Sequence, residues 1–327
     1  MHAGPKAIRF TETGGPEVLR WENVEVGDPG AGQARVRHTA VGVNFIDTYH
    51  RSGLYPLRLP SGLGSEAAGV VEAVGANVTA VKPGDRVAYA GGPPGSYAEA
   101  RLLPAHLLVP VPDGVPDATA AAVILKGMTA QYLVRRTYPV RPGEAVLFHA
   151  AAGGVGLIAC QWLKALGATV IGTVGSDAKA EVARAHGCDH VIVSTREDIA
   201  GRVRDLTGGA GVPVVYDSVG RDTFLTSLDC LRPLGLLVSF GDSSGKVTPF
   251  DLGVLAQKGS LYLTRPTLAT YTATRADLEA TARDVFEAVR GGTVKVEVRH
   301  TYPLPDAARA HRDLEGRRTV GSIVLTP

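Results

Sequence analysis

Gly153 and Gly156 follow directly on the apolar run 146–150 and precede a segment, 157–166, with helical character. A strand that turns into a helix through closely spaced glycines can bring backbone amides against a ligand. In the fingerprint G-x-G-x-x-G these two glycines fill the second and third positions, and Ala151 stands at the first. The second glycine admits a pyrophosphate, the third lets helix and strand pack closely, and the helix N-terminus carries about half a positive charge. This is the chemistry of a dinucleotide cradle. A glycine-rich turn alone also serves as a ligand-free connection, so the surrounding pattern must decide.

That pattern is an alternation of strands and helices. Strands are expected at 146–150, 169–174, 190–193, 213–217, 236–240 and 260–264. Helices are expected between them at 155–166, 178–186, 198–206, 223–231 and 251–257. Six strands in this alternation specify a doubly wound parallel sheet. With the strand order 3-2-1-4-5-6, the crevice opens at the carboxyl ends of strands 1 and 4. Ser218 then lies beside the glycine turn, and Phe240 and Gly241 lie one strand further on, as candidates to line a nicotinamide channel. Asp217 reads equally as part of the site or as a helix cap.

The end of the second strand discriminates between cofactors. A sheet built for NAD carries Asp or Glu there for the ribose 2′-hydroxyl, and such a carboxylate repels a 2′-phosphate. Here the strand closes on Gly172, Thr173, Val174, Gly175 and Ser176, with Lys179 following. The missing acid, the small hydroxyls and the nearby cation favour NADPH. Asp177 is the contrary residue, and its place at a helix start suits a cap.

The remaining chain must position this unit. Before residue 111 short β-rich runs alternate with Gly/Pro turns, and only 44–52 suggests a helix. Residues 117–136 read as helices broken near Gly127. After Pro266 a long amphipathic helix (275–290), a strand (294–299), a short helix (306–314) and a last strand (322–325) add no further βαβ unit. This tail is expected to return to the head of the chain.

Composition excludes several functions. The 327 residues suggest two domains, and 34 basic against 32 acidic side chains give a net charge of +2, without any like-charge block. A nucleic-acid partner finds no electrostatic footprint. No secretory signal or bilayer-length apolar run is visible, so a cytoplasmic location without a membrane partner is expected. Cys160, Cys188 and Cys230 are scattered and have no zinc-site spacing, so they read as small buried hydrophobes. His149 reads as a packed histidine rather than a base.

Five strings, in order, carry a resemblance: NFIDTYHRSGLYP (44–56), GLGSEAAGVVEAVG (62–75), FHAAAGGVGLIACQW (148–162), VVYDSVGRDTF (214–224) and QKGSLYLTRP (257–266). Over essentially its whole length the chain resembles the zinc-free quinone oxidoreductases of the zeta-crystallin type, within the medium-chain dehydrogenase/reductase superfamily. The resemblance implies an α/β fold in which a doubly wound, six-stranded Rossmann domain (127–266) is inserted into a β-rich GroES-like catalytic domain (1–126, completed by 267–327). It implies NADPH-dependent reduction of quinones by hydride or electron transfer from nicotinamide C4 in an interdomain cleft.

Carried over by position, the resemblance implies Asn44, Asp47, Tyr49 and Tyr55 on the nicotinamide and quinone side. Gly153, Gly154, Val155 and Gly156 would meet the pyrophosphate, and Ser176, Lys179 and Arg317 the 2′-phosphate. Ser194 replaces a tyrosine that contacts the adenosine end in relatives, which removes contact area. Zinc-dependent relatives carry Cys at position 44 and His at position 65. Here Asn44 and Ser65 stand there, so no metal is expected and Glu66 reads as a structural charge partner. Other expectations stay open: reduction of activated C=C bonds in enones or alkenals, an NADPH-binding crystallin-like protein without turnover, and a remote RNA-binding role. The strand at 259–266, rich in β-formers and poor in charge, is expected to pair with its copy in a homodimer.

Overall fold

The computed structural model describes residues 4–327. The chain divides into two compact units. One runs to Met128 and adds Thr272–Gly291 and Val296–Pro327, and the other is Thr129–Tyr271 with Gly292–Lys295.

In chain order, the elements of the first stretch are β1 (Lys6–Phe10), β2 (Arg20–Asn23), β3 (Gln33–Val43), α1 (Phe45–Ser52), β4 (Ser61–Gly62), β5 (Glu66–Val74), β6 (Arg86–Ala90), β7 (Ala100–Pro104), β8 (Val109–Pro110) and α2 (Asp117–Tyr132). The second stretch holds β9 (Ala145–Phe148), α3 (Gly154–Ala165), β10 (Thr169–Val174), α4 (Asp177–Ala185), β11 (His190–Val193), α5 (Ile199–Leu206), β12 (Val212–Asp217), α6 (Phe224–Cys230), β13 (Leu231–Ser239), α7 (Gly253–Gln257), β14 (Tyr262–Thr264) and α8 (Leu268–Tyr271). The tail contains α9 (Arg275–Arg290), β15 (Val298–Pro303), α10 (Ala307–Glu315) and β16 (Ser322–Thr326).

The first unit is organised on β3, whose burial alternates along its first half as a half-buried strand requires. It pairs antiparallel with β5, from Ala34 opposite Val74 to Gly42 opposite Glu66, and with β16 at Val43 opposite Ile323. The sheet order is β15-β16-β3-β5-β6-β8, with β7 also on β3. The chain's last strand therefore sits beside β3, and buried Ile323 and Leu325 join the core of Phe10, Val36, Tyr89, Tyr97 and Leu103.

The second unit is a parallel sheet in the order β11-β10-β9-β12-β13-β14, which is the 3-2-1-4-5-6 arrangement. Every residue of β12 is buried, as a strand covered on both faces must be. Leu147, Ile171, Ile192, Val215 and Leu237 form its core.

Three expectations are corrected. The helix expected to break near Gly127 continues to Tyr132 and then widens into a π-helical turn, Leu133–Thr137. Gly127 is there for close packing: a Cβ on it would lie 2.7 Å from Cγ1 of Val285 in α9. The strand expected at 294–299 begins only at Val298. The Lys295 amide instead donates to the Gln161 side chain at 2.9 Å, within the second unit. The fifth sheet strand starts at Leu231 instead of 236, with a register irregularity against β12, so the preceding helix stops at Cys230. All three cysteines are buried and free. Among the described residues no helix is long and apolar enough to cross a membrane.

Candidate active site

The six strands of the second unit all run parallel, so their carboxyl ends share one edge. After β9 the chain turns through Ala150, whose φ of 53° is the left-handed conformation of this turn. Position 151 carries no such conformation, which explains why alanine serves where the fingerprint has its first glycine. Ala151 donates its amide to the Thr173 carbonyl at 2.9 Å. Gly153 caps α3 in extended conformation. A Cβ on Gly156 would fall 2.4 Å from the Ala150 carbonyl oxygen and 2.7 Å from that of Ala151, so the turn and helix can meet only at glycine. The amides of Gly154, Val155 and Gly156 form the first turn of α3, where no helical carbonyl is available to them. That set of donors fits a pyrophosphate.

Ser218, after β12, and Gly241, after β13, approach closely: a Cβ on Gly241 would lie 2.5 Å from the Ser218 carbonyl oxygen. Phe240 lies against Phe148, with ring centroids 5.8 Å apart. Asp217 accepts from the amides of Val219 (2.8 Å) and Gly220 (3.1 Å), and from the hydroxyls of Thr223 and Ser227 (both 2.8 Å). These bonds close the turn after β12, and because the N-cap of α6 is Thr223, Asp217 is a buried turn acceptor and not a helix cap. Ser227 spends its only proton on Asp217 and therefore accepts from Nε2 of His149 at 3.0 Å. Nδ1 of His149 then accepts from the Thr173 hydroxyl at 2.9 Å. Burial lowers the His149 pKa, which keeps this packed ring neutral. Thr173, expected near the cofactor, is itself buried and turns its hydroxyl to His149.

Ser176 stands just beyond β10 as the cap of α4, Lys179 lies in the first turn of that helix, and Ser194 directly follows the neighbouring β11. The Ser176 hydroxyl caps α4, accepting from the Lys179 amide at 3.4 Å. Asp177 is the first residue of that helix rather than its cap. Both of its oxygens are held by Arg196 at 2.6 Å, and these hydrogen bonds lower its pKa. The one acid near this loop is thus matched by a cation. Arg317 belongs to the other unit, just beyond α10. Sequence reasoning missed Arg265, which follows β14 and donates to Gly241 O (3.0 Å) and Asp242 Oδ2 (2.6 Å) at the same edge. Its signal was a cation immediately after the last strand.

In the first unit, Asn44 caps α1 and joins a buried polar cluster. Its side-chain amide donates to Glu66 Oε1 at 2.8 Å, and the Leu125 amide donates to Oε2 at 2.8 Å. Lys126 forms a buried ion pair with Glu66 Oε1. Glu66 is wholly inaccessible, and a Cβ on Gly42 would lie 2.2 Å from its Oε1, so Gly42 leaves the room that the carboxylate fills. Lys126 was also missed; its signal was a lone lysine in the apolar run of α2. Asp47 accepts from the Asn44 amide (2.9 Å) and the Ser65 hydroxyl (2.8 Å). Tyr49 and Tyr55 pack at 5.1 Å between centroids, tilted by 60°. The positions that would carry thiolate and imidazole ligands are thus amide and hydroxyl donors committed to carboxylates. Among the described residues no group of three or more His, Cys, Asp or Glu is placed for a metal.

A GroES-like sheet and a six-stranded nucleotide-binding sheet on one chain define a medium-chain dehydrogenase/reductase. Residues 30–113 match the family described as alcohol dehydrogenase GroES-like domain, and residues 154–283 that described as zinc-binding dehydrogenase. A quinone oxidoreductase of Pseudomonas aeruginosa is 57% identical, covering 98% of this chain and 99% of that one. A quinone oxidoreductase of Escherichia coli, solved in complex with NADPH, superposes with a TM-score of 0.97 at 51% identity, covering 98% of this chain and 100% of that one. A 2-haloacrylate reductase of Burkholderia sp is 49% identical over 96% of each. The chain belongs to the zinc-independent quinone oxidoreductases of this superfamily.

Proposed function

We propose that this protein is a cytoplasmic NADPH:quinone oxidoreductase whose catalytic domain comprises residues 1–126 and 267–327 and whose cofactor domain comprises 127–266. The observation that carries the cofactor choice is the acid-free end of β10, where Lys179 follows Ser176 and the neighbouring Asp177 is held by Arg196. The E. coli relative solved with NADPH supports the same reading. Three free, buried cysteines suit a reducing compartment.

The reduced nicotinamide supplies the hydride, and the chain supplies binding and orientation. Gly153, Gly154, Val155 and Gly156 would hold the pyrophosphate, and Ser176, Lys179, Ser194 and Arg317 the adenosine end. Thr173 would instead brace the turn after β9, through its bonds to Ala151 and His149. Ser218, Phe240 and Gly241 would border the nicotinamide. Asn44 and the hydroxyls of Tyr49 and Tyr55 would orient the quinone or hydrogen-bond its developing oxyanion, while buried Asp47, which accepts from the Asn44 backbone amide, would hold Asn44 in place.

Steady-state rates with NADPH against ortho- and para-quinones, enones and 2-haloacrylates test this reading. Quinones should turn over fastest, and NADPH should bind more tightly than NADH. The 49% identity to a 2-haloacrylate reductase favours a second reading, reduction of an activated C=C bond, which faster turnover of those substrates would establish. NADPH binding without any turnover would leave a crystallin-like binding protein.

The finer assembly proposed is a homodimer through the 259–266 edge. There β14 has one sheet neighbour, and Tyr262 and Leu263 are 60% and 36% exposed. Light scattering at micromolar concentration should give twice the 34.1 kDa chain mass; a monomeric mass removes the dimer.

A further inference from the structure

A line of buried side chains connects Asp47 to Arg51, a cation one turn further along α1. Asp47 Oδ2 lies 3.0 Å from the Tyr97 hydroxyl, which lies 3.0 Å from Nε2 of His311. Nδ1 of His311 lies 3.0 Å from Nη1 of Arg51. Arg51 in turn meets both oxygens of Glu315, at 2.9 and 2.7 Å, and donates through Nε to the Gly14 carbonyl at 3.0 Å. Asp47, Tyr97 and His311 are each wholly inaccessible, and Arg51 is 2% exposed.

The proton positions follow by elimination. A guanidinium only donates, so Nδ1 of His311 accepts and Nε2 carries the ring proton. Burial and the adjacent Arg51 lower the His311 pKa to about 3, so the ring is neutral. Its Nε2–H donates to the Tyr97 oxygen, and the Tyr97 proton goes to Asp47. Every donor in the line points from the cation toward the carboxylate.

We propose that Arg51, His311 and Tyr97 form a directional donor chain that keeps Asp47 ionised, and that through Asp47 it holds Asn44 in its working position. Tyr97 and His311 are then positioning residues for the quinone site. The inference rests on the assignment of Asn44 and Asp47 to that site.

Asp47 faces the Asn44 amide of α1, the Ser65 hydroxyl and Glu66 carboxylate at the start of β5, and the Tyr97 hydroxyl. Burial raises its pKa to about 6, with Glu66 adding to the rise, while the bonds from Ser65, Asn44 and Tyr97 oppose it. Below that pH the protonated carboxyl accepts less well, and the Asn44 backbone loses the acceptor that anchors it. Activity should therefore fall on an acid limb centred near this value.

Removing a donor to the anion favours the protonated form. Tyr97→Phe should move the midpoint of kcat/KM upward by about one to two pH units, the scale of one hydrogen bond to a charged group. Turnover should recover towards the unaltered rate in alkaline buffer. His311→Leu, which breaks the chain one link earlier, should shift the limb in the same direction by less. The Asp47 protonation itself should be followed by infrared titration of its carboxylic C=O band, assigned with Asp47→Asn. Shifts in both band and rate profile support the proposal. An unmoved band in Tyr97→Phe overturns the donor chain, and a moved band with an unmoved rate profile overturns the control of turnover by Asp47. If the unaltered protein reduces no quinone, the functional reading fails while the band still decides the chain.

Discussion

Lys126→Met should destabilise the first unit by about 3–5 kcal/mol, because it leaves a buried carboxylate without its cation. Glu66 has no solvent contact, and its other donors are the neutral amides of Asn44 and Leu125. Neutral donors stabilise an anion but cannot cancel its charge. The chain has two tryptophans, Trp21 and Trp162. In a Trp162→Phe background, urea denaturation followed by Trp21 fluorescence isolates the first unit. Adding Glu66→Gln to Lys126→Met should recover part of the loss, since the orphaned charge disappears. Additive losses in the double variant would show that the two residues do not act as a pair.

Gly156→Val should weaken NADPH binding roughly tenfold to a hundredfold. A side chain there meets two backbone carbonyl oxygens, at 2.4 and 2.7 Å from its Cβ alone, and neither can swing away. Either α3 moves off β9 or the turn deforms, and both displace the amides of Gly154 and Val155. Overpacking of this kind costs about 1–3 kcal/mol, and about 1.4 kcal/mol is a factor of ten in affinity. Gly153→Ala should cost less, because its added Cβ meets only the Ala150 carbonyl oxygen, at 3.1 Å. NADPH fluorescence titration measures both, and an unchanged Kd in Gly156→Val would falsify the cradle.

The glycine turn was legible in the chain because its information is local. Gly153 and Gly156 belong to one turn, and the alternation of β9 to β14 with helices is a pattern of neighbouring residues. The strand order then places Ser218, Phe240 and Gly241 on the same edge as the glycines. Gly127 misled for the opposite reason. Glycine weakens an isolated helix, but here it admits Val285 from a helix more than 140 residues later, and that packing outweighs propensity.

Asn44, Asp47, Tyr49 and Tyr55 stood out only through resemblance, since an amide, a carboxylate and two phenols on a short helix and its flanks have no chemistry of their own until partners arrive. Those partners come from distant segments: Glu66 and Ser65 at the start of β5, Lys126 in α2, Tyr97 before β7 and His311 in α10. The sequence by itself determined the fold class, the dinucleotide turn and the acid-free second strand, because hydrophobic period and turn chemistry act over a few residues. Tertiary structure alone decided which charges are buried and how they are matched. Pairing Glu66 with Lys126, or Asp47 with Tyr97, depends on strands and helices brought together across the unit, and residue spacing along the chain carries no record of that contact.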